Sequence, residues 1–213
     1  MNNVKDSIGW ADYTLNIITG CKRGCKWGEG GCYAKRNWNR LHRKRVGCEF
    51  EEIRFWPSRM EDPDLWRKAP CTVFVGSMSD IEYWPRENTE RIIRDVCKTY
   101  YKNTYMFLTK NADSYKGFLW PPNTMQGLTM TKIISQDNCL QLIKMEGVPR
   151  PFLSIEPLLG LVGYFPVEKY ELVIVGAMTG PGAIKPEPMW IRSVRDTVPK
   201  EKIYWKRNIR GYL

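Results

Sequence analysis

The sequence predicts an α/β chain built as a partial (βα)6 barrel of parallel strands. Three observations predict it. Short apolar runs bounded by Pro, Gly or polar residues recur along the chain, amphipathic stretches at helical spacing lie between them, and the runs end in unusually polar residues. Strands that alternate with helices imply parallel pairing and right-handed crossovers. A partial barrel is preferred over an open doubly wound sheet. With 213 residues, the chain is expected to form a single domain over 1–213.

The first predicted strand, TLNIITG at 14–20, leads into a Gly-rich segment with three cysteines, and a helix follows over 35–45. CTVFVGSMSD at 71–80 is the second strand. After Pro85, residues Ile92, Ile93, Val96, Cys97 and Tyr100 recur at helical spacing with charges between them. TYMFLTK at 104–110 and TMQGLTM at 124–130 read as buried strands, and Leu140 and Ile143 place a helix over 136–144. PFLSIEPL at 151–158 and YELVIVGAM at 170–178 are the last two strands. A helix over 188–198 follows, with Glu187 and Pro188 suited to its first turn.

In parallel α/β folds the working residues sit where strands end. Here the ends carry Ser77, Ser79 and Asp80, then Thr109 and Lys110, Thr129, Glu156, and the stretch from Gly176 onward. The first strand ends in Cys21, Cys25 and Cys32. These residues are expected to converge on one rim. Glu156, a lone carboxylate there, needs a cationic partner, for which Lys110 and Arg150 are candidates.

Composition bounds the function classes. The formal charge of +10 favours polyanionic partners, against the alternative of a merely soluble, Lys-rich surface. No apolar run approaches the ~18 residues that a membrane-spanning helix needs, and MNNVKDSIGW lacks the apolar stretch of a signal peptide. A cytoplasmic protein is expected, in which an uneven count of seven cysteines points to metal or catalytic use.

The Cys-x3-Cys-x6-Cys spacing wraps a loop around one point, and glycines 24, 28, 30 and 31 permit the tight path. Two metals compete for it. Zinc would need a fourth ligand, with Cys48 or His42 as nearby candidates. A 4Fe–4S cluster on three thiols leaves one iron open for chemistry. Cys48, Cys71, Cys97 and Cys139 are expected in the core. His42, in RLHRKR, is expected on a solvated helix face.

Several blocks in order carry a resemblance. They are WADYTLNIITGC at 10–21, CYAKR at 32–36, VFVGSMSD at 73–80, FLTK at 107–110, WPPNTMQGLT at 120–129, FLSIEPLLG at 152–160, VIVGAMTGPGA at 173–183 and WIRSVRD at 190–196. The chain resembles, nearly end to end, a phage and prophage protein family related to the radical S-adenosylmethionine superfamily. The resemblance implies a partial TIM-like barrel, the radical S-adenosylmethionine core. It implies that Cys21, Cys25 and Cys32 bind three irons of a 4Fe–4S cluster and that S-adenosylmethionine chelates the fourth. The interval between the last two cysteines is longer here than in the superfamily's Cys-x3-Cys-x2-Cys motif. The resemblance further places Tyr33 near the adenine, Ser77, Ser79 and Asp80 near the methionine amino group, Thr129 near the ribose, and the turn beginning at Gly176 near the adenine. It implies a reductant of flavodoxin or ferredoxin type. It also implies reductive cleavage of S-adenosylmethionine to a 5′-deoxyadenosyl radical that takes a hydrogen atom from the substrate.

The substrate expectation rests on charge. Lys35, Arg36, Arg40, Arg43, Lys44 and Arg45 crowd one helix beside the cysteine segment, and Lys202, Lys206, Arg207 and Arg210 add a basic C-terminus. Nine tryptophans include Trp27 in the loop and Trp38 on the basic helix. Cations interleaved with aromatics suit phosphate contact and base stacking, so a nucleic acid or nucleotide is expected. Arg36, Arg40, Lys110 and Glu156 are the candidate substrate contacts. The rival reading is a zinc-stabilised nucleic-acid-binding protein without catalysis.

Overall fold

The structure, a computed structural model, describes residues 1–26, 31–131 and 136–213. The chain opens with β1 (Asn2–Asn3), β2 (Tyr13–Leu15) and β3 (Ile18–Thr19), followed by α1 (Tyr33–Leu41), α2 (Arg43–Val46), β4 (Arg54–Phe55) and α3 (Asp64–Arg67). Next come β5 (Thr72–Val75), α4 (Arg86–Ile92) with a π-helical extension over Ile93–Lys98, β6 (Thr104–Thr109) and β7 (Thr124–Thr129). The remaining elements are α5 (Gln136–Lys144), β8 (Pro151–Ile155), β9 (Leu172–Val175), α6 (Pro188–Thr197) and β10 (Ile203–Trp205).

Eight strands form one curled sheet in the order β1-β2-β5-β6-β7-β8-β9-β10. Every neighbouring pair in it is parallel except β1 and β2. The result is a half-barrel of seven parallel strands with one antiparallel edge strand. β3 and β4 pair separately as a two-stranded antiparallel ribbon.

The structure departs from the idealised six-unit pattern in four ways. A seventh parallel strand, β10, joins the sheet beside β9. It spans three residues between Lys202 and Lys206, too short to show a period. The segments after β6 and β8 hold only single 3-10 turns, at Ala112–Tyr115 and Val167–Lys169, among the described residues. Pro121 and Pro122 in the first and Pro157 and Pro166 in the second oppose a crossover helix. The first predicted strand divides into β2 and β3 at Asn16, whose side-chain oxygen accepts from Ser77 Oγ and Met78 N at 3.1 Å each. The basic helix likewise breaks at His42 (φ −119°), giving α1 and α2.

Alternating residues face opposite sides of the sheet. The convex side packs Val73, Val75, Phe107, Leu128, Leu153 and Val173 against helix residues such as Ile92, Val96, Leu142 and Val194. The concave side is narrower, with Met106, Met125, Phe152 and Ile174 at its centre and Trp10 and Tyr204 packed on them. Trp10 lies 4.7 Å from the Phe74 ring and 6.1 Å from the Phe152 ring, so the segment before β2 fills the inside of the half-barrel. Cys48, Cys71, Cys97 and Cys139 are buried, as expected.

Gly127 in β7 makes this inner packing possible. A methyl group there would overlap the Phe152 ring of the neighbouring strand. Gly127→Ala should therefore destabilise the protein by about 1–3 kcal/mol through overpacking. Chemical denaturation checks it, and an unchanged midpoint would show that the ring moves aside freely.

Candidate active site at the barrel mouth

The C-terminal ends of the strands surround a cavity of about 840 Å³. Every parallel strand contributes at or just past its end. Asn16 follows β2, Ser77 to Asp80 follow β5, Lys110 follows β6, Thr129 ends β7, Glu156 follows β8, Ala177 to Thr179 follow β9, and Lys206 to Asn208 follow β10. Cys21, Cys25 and Cys32 form part of the same wall.

The cysteines arrive there for local reasons. Gly20, at φ +98°, turns the chain out of β3 where a Cβ would strike the Glu52 carbonyl, and Cys21 N then donates to Phe50 O at 3.0 Å. Cys32 occupies the N-cap position of α1 with extended backbone (φ −69°, ψ 125°). The Cys25 thiol donates to the Cys32 sulfur, and the backbone N–H groups of Lys35 and Ala34 do the same at the helix start. These bonds favour the thiolate and draw the Cys32 thiol down to about 6, against the opposing effect of burial. Donating to Cys32 and burial both raise Cys25, and burial raises Cys21. The Lys110 charge lowers all three thiols. Arg23, between the first two cysteines, pairs with Glu82 and lies 3.5 Å from Asp80, which ties the segment to the loop after β5. Trp27, Gly28 and Gly30 lie outside the described residues.

The donor set can be tested for a metal. Among the described residues, no group of three or more His, Cys, Asp or Glu side chains is arranged to hold a metal ion. The Cys25 thiol instead hydrogen-bonds the Cys32 sulfur, and Cys21 and Cys32 pack on an apolar cluster of Ala34, Trp38, Cys48 and Phe50. The chemistry of the set still fits a soft metal or cluster. Three thiols share one cavity wall, one is acidified, and helix N–H groups face its sulfur.

A family model described as a protein of unknown function, DUF5131, matches residues 5–208. The chain belongs to the DUF5131 family. No curated protein and no solved structure matches it. The matched span of this DUF5131 protein runs from the segment that fills the half-barrel, through the cysteine wall, to Asn208 at the end of the rim.

Among the residues singled out in the DUF5131 sequence, Tyr33, Arg36, Ser77, Ser79, Asp80, Lys110, Thr129 and Glu156 all line the cavity. Tyr33 is about half exposed (48%), and its hydroxyl donates to Ser77 O at 2.6 Å. Thr129 is buried, and its Oγ1 has no hydrogen-bond partner among the described residues. Ser79 and Asp80 are largely committed within the protein. Ser79 Oγ bonds Ile18 O and accepts from the Trp84 indole, at 3.1 and 3.0 Å. The Asp80 carboxylate accepts from Thr109 Oγ1 at 2.6 Å, Glu82 N at 3.2 Å and Lys110 N at 3.3 Å.

Other expectations need correction. Glu156 pairs with Lys206, not with Lys110 or Arg150; Arg150 holds Glu171 with three bonds of 2.9–3.0 Å. Gly176 is not on the cavity wall. Its lack of a side chain makes room for that pair, since a Cβ would lie 3.0 Å from both Glu156 and Lys206. Arg40 is exposed, outside the cavity, and bonds Asn37 at 3.4 Å. Trp38 is core, with its indole N–H on Cys48 O at 3.0 Å, so it offers no stacking face. Lys202 is a backbone clamp on the carbonyls of Val167, Glu168 and Tyr170. Lys35 pairs with Glu51 and Arg43 with Glu49, which neutralises part of the basic helix. Trp10, Ser154 and Asn208 line the cavity without having been singled out. The polar residues after β10 were legible as charges, but not as rim residues without the strand that places them.

Proposed function

We propose that this protein is a radical S-adenosylmethionine enzyme acting on a nucleotide or nucleic acid. The observation that carries the reading is the meeting of Cys21, Cys25 and Cys32 with the polar ends of seven parallel strands in one cavity. Parallel barrels place chemistry at that end of the sheet. The three thiols would hold a 4Fe–4S cluster with one iron open, and S-adenosylmethionine would lie in the cavity beside it. Bound there, cluster and cofactor supply one-electron cleavage to a hydrogen-abstracting radical.

The chain's own residues supply position and charge. The N–H groups of Ala34 and Lys35 support negative charge on the Cys32 sulfur, and Lys110 lowers the cost of three thiolates in one place. Thr129 lines the cavity with a hydroxyl that has no partner among the described residues and is available to a sugar hydroxyl. Glu156 and Lys206 pair on the wall, and Trp10 covers the inner face of the sheet. In helices among the described residues, none is long and apolar enough to cross a membrane.

A zinc reading has one observation in its favour. Cys48 belongs to the apolar cluster on which Cys21 and Cys32 pack, so a fourth cysteine is part of the same neighbourhood. Anaerobic reconstitution with iron and sulfide separates the two. The expected result is a brown protein with broad visible iron–sulfur absorption that releases 5′-deoxyadenosine when reduced with S-adenosylmethionine. A colourless protein carrying stoichiometric zinc after the same treatment would refute the radical reading.

A further inference from the structure

We infer that Arg36, with Arg207, seats a phosphate group of the substrate in the turn after β9. The inference rests on the reading of the cavity as a nucleotide pocket and names how the nucleotide is held. Arg36 reaches from α1 to that turn, where its Nη2 donates to Thr179 O at 3.3 Å. The guanidinium fits there because residue 180 is glycine. A Cβ on Gly180 would lie 2.7 Å from Nη2 and 2.9 Å from Nη1, and its φ of +100° also disfavours a side chain. The other amino group, Nη1, is buried and has no hydrogen-bond partner among the described residues. A buried, charged donor without an acceptor is costly unless a ligand supplies one.

Arg207 follows β10, the strand beside β9. Its neighbour Asn208 clamps Ala177 from both sides, donating to Ala177 O at 2.7 Å and accepting from Ala177 N at 3.3 Å. Arg207 follows directly from Lys206, lines the cavity, and makes no side-chain ion pair among the described residues. The wall's carboxylates are largely engaged: Glu156 with Lys206, and Asp80 with Thr109 and backbone N–H groups. Asp6, at the edge of the segment before β2, also lines the cavity. Two guanidinium groups on one cavity wall, neither in an ion pair among the described residues, match a group of charge about −1.5 to −2 better than a single carboxylate.

The test titrates the full chain with adenosine 5′-monophosphate, adenosine and S-adenosylmethionine by calorimetry. The expected result is tighter binding of the monophosphate than of adenosine. Arg36→Gln should cost about tenfold or more of the monophosphate affinity and leave adenosine unchanged. Gly180→Ala, which keeps every charge but displaces the guanidinium, should give a similar loss. Lys102→Gln, an equal change in charge on an exposed residue before β6, should change nothing. Monophosphate binding no tighter than adenosine, or unaffected by Arg36→Gln, overturns the seat. So does an Arg36→Gln effect confined to S-adenosylmethionine, which would assign the guanidinium to the cofactor carboxylate. The titration needs no cluster, so a failed seat leaves the iron–sulfur result standing, and a colourless protein leaves the seat standing.

Discussion

Cys32→Ala should abolish iron retention after anaerobic reconstitution, with the visible absorption falling to that of the untreated chain. This is the largest effect expected of any single substitution, because Cys32 joins several roles. It is the most acidic of the three thiols, it receives the Cys25 hydrogen bond, and it sits where the N–H groups of α1 face a sulfur. Its loss removes a ligand together with the electrostatic reason for a thiolate there. Cys21→Ala and Cys25→Ala should fail in the same way, because a three-thiol site has no spare ligand. Cys48→Ala should retain the colour. If it loses metal as fully as Cys32→Ala does, the site has four thiols and the zinc reading gains. If Cys32→Ala keeps full iron content, Cys32 is not a ligand and the cluster proposal fails.

Asp80→Ala should cost about 3–5 kcal/mol, the range for removing one partner from a buried charged network. The carboxylate gathers Thr109 Oγ1, two backbone N–H groups and the Arg23 guanidinium at the rim between β5 and β6. Its removal takes the acceptor from two backbone N–H groups and the shortest bond from the Thr109 hydroxyl, and leaves Arg23 with Glu82 alone. At about 2–4 °C per kcal/mol for a chain of this size, the melting temperature should fall by roughly 10 °C. Asp80→Asn keeps an acceptor oxygen and should lose less. Because Arg23 lies between Cys21 and Cys25, the alanine variant should also weaken metal retention, whereas Gly127→Ala, on the inner sheet face, should not. A melting shift under about 2 °C would mean the donors find other acceptors.

Much of the framework was legible from local pattern. The buried strands announced themselves as short β-branched runs, and 136–144 was read with the bounds the structure shows. The helix predicted from residue 188 begins there, with Glu187 as its N-cap. Gly76, at φ +80°, explains why the second run stops being strand before Ser77 while its polar tail still reaches the rim. The misreadings share a cause. β10 has three residues and takes its place from pairing with β9, which is a long-range contact. The helix over 35–45 breaks at His42 although its local pattern is continuous. Charges on that helix suggested a polyanion surface, but Glu49 and Glu51 fold back against them.

The sequence by itself determined the alternation of strands and helices, the clustering of three cysteines after the first strand, and the polar character of the strand ends. These are local properties, set by residue type and spacing. Tertiary structure alone decided which cations stay available. Lys206 is taken by Glu156, Lys202 by three carbonyls and Arg150 by Glu171, while Arg36 keeps a buried amino group without an acceptor among the described residues in the notch at Gly180. A charge is free or spent according to partners tens of residues away in the chain. No local pattern carries that information, because the pairing depends on which strand ends the sheet brings side by side.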